Sequence, residues 1–142
     1  MKTEIMIGIG TVGSFVASFF GGWTTSLSTL LIFMAIDYVT GLVVAGVFHN
    51  SKKTDSGALE SRAGFKGLVR KGMILLLVLV GHRLDLATGA SYIRDGVCIA
   101  FIANETISIF ENAGLMGIKI PGVLVNAIDV LKKKGEGQIE NK

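Results

Sequence analysis

Charge and cysteine are both scarce in this 142-residue chain. Only 18% of its residues are Asp, Glu, Lys or Arg, while 50% are hydrophobic. One cysteine, Cys98, excludes an intrachain disulfide and any multi-cysteine metal centre. The single proline, Pro121, falls after the last long apolar run. His49 and His82 have no cysteine or correctly spaced acid beside them, so no metal site is expected. Serine, histidine and aspartate are present, but not at depths and sides that let them converge, so no catalytic residues are expected. Gly8, Gly10 and Gly13 match a GxGxxG fingerprint, yet the small residues continue through Gly22 in an apolar segment and no alternating strand–helix pattern follows. No nucleotide and no other cofactor is expected.

The apolar residues come in long runs rather than with the period of a half-buried strand or a surface helix. A membrane crossing needs about 20 predominantly apolar residues. Four candidate spans are predicted: about 5–23, 27–48, 68–87 and 94–115. The third is the weakest, with a purely apolar core of 73–80, Arg70 and Lys71 snorkelling at one end, and His82, Arg83 and Asp85 at the other. The first segment lacks the basic start and small-x-small cleavage site of a signal peptide, with Lys2 offset by Glu4, and is expected to remain as a span. Residues 1–131 thus form one membrane domain ending in an amphipathic tail, and 132–142, which open with Lys132, Lys133 and Lys134, are expected to be disordered. That lysine run suits solvent or lipid headgroups better than nucleic acid, and no nucleic-acid partner is expected.

Charge placement orients the spans. The segment between spans two and three carries Lys52, Lys53, Arg62, Lys66, Arg70 and Lys71, and the tail carries Lys119, Lys132, Lys133, Lys134 and Lys142. The first outer turn has no basic residue, and the second has Arg83 and Arg94, each near an acid. By the positive-inside rule both termini are cytoplasmic.

Two groups of residues stand out. In span one, Gly10, Ser14, Ser18 and Gly22 recur every fourth residue, with Gly13, Ala17 and Gly21 as an adjacent row. Small residues four apart let helices approach closely in lipid. The row serves either packing against span two or self-association between subunits, and the spacing does not choose. In span four, successive residues advance by about 100°. Glu105, Asn112, Ser108, Asn104 and Glu111 therefore fall within roughly one third of the circumference. Such a stripe either lines water or meets another polar stripe in a static hydrogen-bond network. Asp37 lies mid-way through span two, with Thr40 and Gly41 on its side and no basic residue predicted at its depth. The groups at matching depth are Asn104 and Glu105. Asp37 and Glu105 are therefore expected to share a proton or reach water, unless Asp37 serves a local backbone kink.

Several blocks now form a pattern: Asp37-Tyr38-Val39-Thr40-Gly41; then Gly64-Phe65-Lys66-Gly67-Leu68-Val69-Arg70-Lys71; then Ile102-Ala103-Asn104-Glu105 with Ser108 and Glu111-Asn112-Ala113; then Gly117-Ile118-Lys119-Ile120-Pro121 with Leu124 and Leu131. Over residues 30–131 the chain resembles the toxin-secretion/phage-lysis holin family, known from phages of Gram-positive bacteria and clostridial toxin-release loci. The resemblance implies a protein of the bacterial cytoplasmic membrane that accumulates harmlessly and then oligomerises into lesions. Those lesions release an endolysin or a large toxin, a cargo that need not be bound. The family brings no catalytic residues.

The expectation is therefore an all-α membrane protein of about four transmembrane helices with cytoplasmic termini. It would be homo-oligomeric, with the bilayer and its own copies as partners. Asn104, Glu105, Ser108, Glu111, Asn112 and Asp37 would line the pore, and the small-residue rows of span one would join subunits. The alternatives are a non-lytic ion channel or proton-coupled carrier using Asp37 and Glu105, and an accessory membrane subunit.

Overall fold

The computed structural model describes residues 1–140, and residues 141 and 142 of the expected tail lie outside the described part. Five helices follow one another: α1 (Lys2–Phe19), α2 (Thr25–Gly46), α3 (Ser61–Thr88), α4 (Ile93–Leu115) and α5 (Gly122–Glu140). Among the described residues every regular element is a helix, as the long apolar runs predict. By length and apolarity, α2 is the one described helix that qualifies as a membrane span. Only 28% of its apolar window is buried within the fold, which is unlike the core helix of a soluble protein. α1, α3 and α4 fall short of that test: α1 opens with Lys2 and Glu4, and α3 and α4 have ionisable residues along their length.

The helix ends follow local chemistry. α1 stops at Phe19, four residues before the predicted end of span one, because Gly21 and Gly22 take left-handed φ of 84° and 90°. The Gly22 N–H then returns to the Ala17 carbonyl, closing the terminus as a Schellman-type cap. Thr24 caps α2, its Oγ1 accepting from the Leu27 N–H. α3 is seven residues longer at its start than predicted span three and ends at Gly89 in the left-handed region. Its last turn supplies Asp85, whose two carboxylate oxygens accept from the Ile93 and Arg94 N–H groups at 2.8 and 3.0 Å. A residue of α3 thereby satisfies the free donors at the start of α4.

α4 is the central helix and packs broadly against α2, α3 and α5, whereas α2 and α3 meet each other over a short stretch. Helical spacing of three and four residues sets what faces inward. On α2 the inward positions are Leu27, Leu30, Met34 and Asp37; on α4 they include Cys98, Ile102, Glu105 and Asn112. Leu27, Leu30, Met34, Val78, Cys98 and Ile102 form the buried apolar core. That core occupies one half of the bundle. Where the same inward positions continue, they become Asp37, Glu105 and Asn112.

The outer surface remains strongly apolar. Ile32, Ile36 and Val39 of α2 and Phe65, Leu68, Val69, Met73 and Leu76 of α3 are all exposed, as is most of α1. Contiguous apolar surface of this extent marks contact with lipid or another protein.

α5 differs from the expected tail. Residues 132–140 continue its helix, and α5 runs back along α4. A Cβ placed on Gly135 would lie 3.4 Å from Ile99 Cγ2, so the two backbones approach closely there. Ile128 and Leu131 pack inward, while Lys132, Lys133 and Lys134 are exposed. The apolar positions Leu124, Ala127, Ile128 and Leu131 share one face of α5, which supports the helix where lysine content alone suggests a tail.

Candidate functional site

The polar half of the bundle is organised around Lys71. Its Nζ donates to Asp37 Oδ2 at 2.8 Å and to Glu105 Oε2 at 2.9 Å. Three helices contribute one charged group each: Asp37 from α2, Lys71 from α3 and Glu105 from α4. The two acid side chains are each 7% exposed and the lysine 15%. Such charge-assisted bonds are short and strong. They are also conditional, because each buried ion forfeits hydration that only a well-placed partner can replace.

Lys71 corrects the expectation that no base lies at the depth of Asp37. It is not snorkelling at a helix end. Because α3 begins at Ser61, Lys71 sits about 15 Å along the helix, well inside the bundle. A signal for this was present in the sequence. Stepping back from Asp85 by four and three residues gives Gly81, Val78, Ile74 and Lys71, all on one face. Asp85, Gly81 and Val78 are buried, and Ile74 packs against the core.

Asn112 completes the cluster. Its Nδ2 lies 3.1 Å from Asp37 Oδ1, 3.2 Å from the Asp37 carbonyl and 2.9 Å from Thr40 Oγ1. The Thr40 hydroxyl in turn donates to the Ile36 carbonyl at 2.8 Å. Gly41 lies beside this network, where a Cβ would stand 3.8 Å from Asn112 Nδ2, an ordinary contact distance. Tyr38 donates to the Gly64 carbonyl across the α2–α3 seam at 3.4 Å, with Gly64 and Gly67 packed against its ring. Three sequence blocks that are far apart in the chain, at 37–41, 64–71 and 105–112, thus converge on one site.

Two cavities flank it. One, of about 240 Å³, lies between α2, α3 and the 49–60 loop and is bordered by Asp37, Tyr38, Lys53, Lys71, Glu105 and Ser108. The other, of about 360 Å³, is bordered by Lys52, Lys53, Glu111 and Asn112. The five-residue stripe of α4 is therefore divided. Glu105 and Asn112 are buried, Ser108 is half-buried against the first cavity, and Asn104 and Glu111 are exposed. Asp37 meets Glu105 through Lys71, and Asn104 is not part of the site.

The small residues of span one are also divided. Gly10, Ser14 and Ser18 are exposed, and a Cβ on Gly10 or Gly13 would meet nothing within 4 Å. Ala17 is buried. Gly21 and Gly22 lie beyond the end of α1, so they belong to its cap rather than to a helix face. Gly21 is further confined by Arg94 and His82, each within 2.6 Å of where a Cβ would stand. Arg94 donates from Nη1 to the Phe20 carbonyl at 2.6 Å, tying the end of α1 to the start of α4.

These features define a helical bundle with an apolar exterior and a buried charged centre. Comparison with known proteins supplies the family. The model of the bacteriophage holin family matches residues 14–133, and the chain belongs to that family. The resemblance carried by the four sequence blocks is thereby borne out. A probable holin of Bacillus phage phi105 is 30% identical over 115 residues, covering 80% of this chain and 79% of that one. An uncharacterized protein of Listeria innocua is 36% identical over 141 residues, covering 99% and 95%. A 14.9 kDa protein encoded in the nagH 3′ region of Clostridium perfringens is 36% identical over 129 residues, covering 89% and 92%. No solved structure matches. The family places the protein in the bacterial cytoplasmic membrane with a holin-like role.

Proposed function

We propose that copies of this chain assemble in the bacterial cytoplasmic membrane into lesions that release a cell-wall hydrolase or a large toxin. The observation that carries this reading is the placement of ionisable groups. A chain of a holin family keeps Asp37, Lys71 and Glu105 inside a bundle whose exterior suits lipid. The subunit described here is then the closed form, its polar groups turned on one another. In the assembled form Asp37 and the α4 stripe of Asn104, Glu105, Ser108, Glu111 and Asn112 face water. The exposed row Gly10, Ser14 and Ser18 joins subunits.

The experiment is to induce the protein in bacteria and record what leaves. Release of a co-expressed folded cytoplasmic protein supports a lesion, loss of ions alone supports a channel, and no release supports an accessory subunit. An ion carrier using Asp37 and Glu105 is less favoured, since Lys71 Nζ occupies the position between the carboxylates that a cation would take.

In the membrane, α1 to α4 cross four times with both termini cytoplasmic. This arrangement requires α5 to leave α4. Packed as described, Gly135 lies beside Ile99, about 24 Å back along α4 from Leu115. Asn50 of the basic 49–60 loop donates to the Leu115 carbonyl, so the loop and the three tail lysines sit toward opposite ends of α4. Lysines held at the outer end oppose the charge bias, and α5 on the inner surface would satisfy it. In a Cys98-free background, external thiol labelling of intact cells is expected to modify cysteines placed at Thr25 and Ser91 and to spare those at Lys53 and Lys134. Labelling at Lys134 would overturn the four-crossing topology.

A further inference from the structure

We propose that Lys71 is the latch of the closed subunit: its ammonium holds α3 against α2, and its release opens the α2–α3 seam to water and starts assembly. The inference rests on the lesion-forming reading above and adds the element that governs when the subunit opens.

The packing singles out this seam. α4 contacts both α2 and α3 along much of its length, but α2 and α3 touch only briefly, with the cavity of about 240 Å³ between them. Among the described residues, the polar ties that bridge the two helices directly are the Lys71–Asp37 pair and the longer Tyr38–Gly64 bond. Apolar packing therefore does little to close the seam at this level, and an ion pair does most of it. The cavity wall already contains Lys53, Glu60, Ser108 and Arg70, so water entering there meets polar groups.

Charge makes the closure reversible. Asp37 and Glu105 both reach one ammonium, which brings two carboxylates close together in a poorly solvated space. With Lys71 between them they attract a common partner; without it the two carboxylates keep their charge only where water reaches them, and otherwise one must take up a proton. Loss of the ammonium therefore favours entry of water at the seam rather than merely loosening it. A residue whose sole role is to support the fold would behave differently, because its removal would cost assembly and delay release.

The test is the onset of release of a co-expressed cytoplasmic protein, with the membrane content of each variant measured in parallel. Lys71→Met is expected to bring release forward relative to the parent, and Lys71→Arg to fall between the two. Adding Asp37→Asn and Glu105→Gln to Lys71→Met removes both carboxylates and is expected to return the onset toward later times. Lys71→Met releasing at the parental time or later, at equal membrane content, would overturn the latch. A parent that releases no protein would instead refute the lesion-forming reading. Should Lys71→Met fail to accumulate, a second arm decides. In a Cys98→Ser background, Tyr38→Cys and Gly67→Cys are bridged in isolated membrane vesicles with a cleavable bis-thiol reagent, since a Gly67 Cβ would lie 3.7 Å from the Tyr38 ring. Retention of a trapped reporter protein that ends on cleavage supports the latch. Release as fast as from unbridged vesicles refutes it.

Discussion

The bundle has two halves built on the same helical spacing and opposite chemistry. In one half, Leu27, Leu30, Met34, Val78, Cys98 and Ile102 fill the space between α2, α3 and α4. In the other, Asp37, Lys71, Glu105 and Asn112 stand where the spacing would otherwise place apolar side chains. Apolar contacts are non-directional, so small shifts change them little. An ion inside a bundle is held only while at least one counter-charge remains beside it. The apolar half is therefore suited to maintain the subunit, and the polar half to give it the second state proposed above. A chain that accumulates without effect and then changes form, as proposed above, would have a physical reason to keep both.

The largest expected effect breaks the polar half. Glu105→Leu removes a buried acid from a helix proposed to cross the membrane, where a carboxylate is costly, so insertion is expected to be unimpaired. Lys71 keeps Asp37 as its partner, so the closed subunit persists. Yet the α4 face no longer prefers water, and protein release is expected to fall to background. Glu105→Gln, which retains hydrogen bonding without charge, should be milder. The measurement is reporter release at matched membrane content. Release at the parental rate from Glu105→Leu would mean that α4 is an ordinary packed helix.

An intermediate effect comes from the apolar half. Leu30 is fully buried, and Leu30→Ala leaves a cavity worth about 2–5 kcal/mol in a soluble protein. In lipid the loss of packing remains while the hydrophobic term weakens, so a value toward the low end is expected. Thermal unfolding in detergent should show it as a lower midpoint, with topology unchanged. If the midpoint were unmoved while Asn112→Ala lowered it, the polar half would be the structural one, and the contrast drawn above would reverse.

Legibility in the sequence followed the same division. Apolar runs located α2 to within two residues at each end and α4 to within one at its start. They missed the first seven residues of α3, because Arg62 and Lys66 face outward there and a hydropathy window counts charge without regard to side. The same blindness hid Lys71, which looked like one more basic residue at a boundary. Rotation by 100° placed five polar residues of α4 on one stripe, but it could not show that α2 and α3 would cover only Glu105, Ser108 and Asn112. α5 was obscured by its three lysines and by Gly135, a residue that in the folded chain permits close contact with Ile99. Pattern along one helix was readable; which helix meets which face depended on the whole bundle.

The smallest effect on the subunit is expected at α1, and it sharpens the comparison by adding a third region that belongs to neither half. A Cβ on Gly13 would meet nothing within 4 Å, and Ser14 is exposed. Gly13→Leu and Ser14→Leu should therefore leave the fold, the insertion and the detergent midpoint of the subunit nearly unchanged, within about 0.5 kcal/mol. In the proposed assembly the same changes matter between subunits, because a leucine on a small-residue row holds two helices apart. Chemical cross-linking in membranes is expected to give a shortened ladder for both variants, with monomer content equal to the parent. That separation of effects is available only because α1 is so exposed: a residue packed inside the bundle would change the subunit and the assembly together. A ladder identical to the parent's would remove α1 from the interface, and the exposed apolar faces of α2 and α3 would be the surfaces left for self-association.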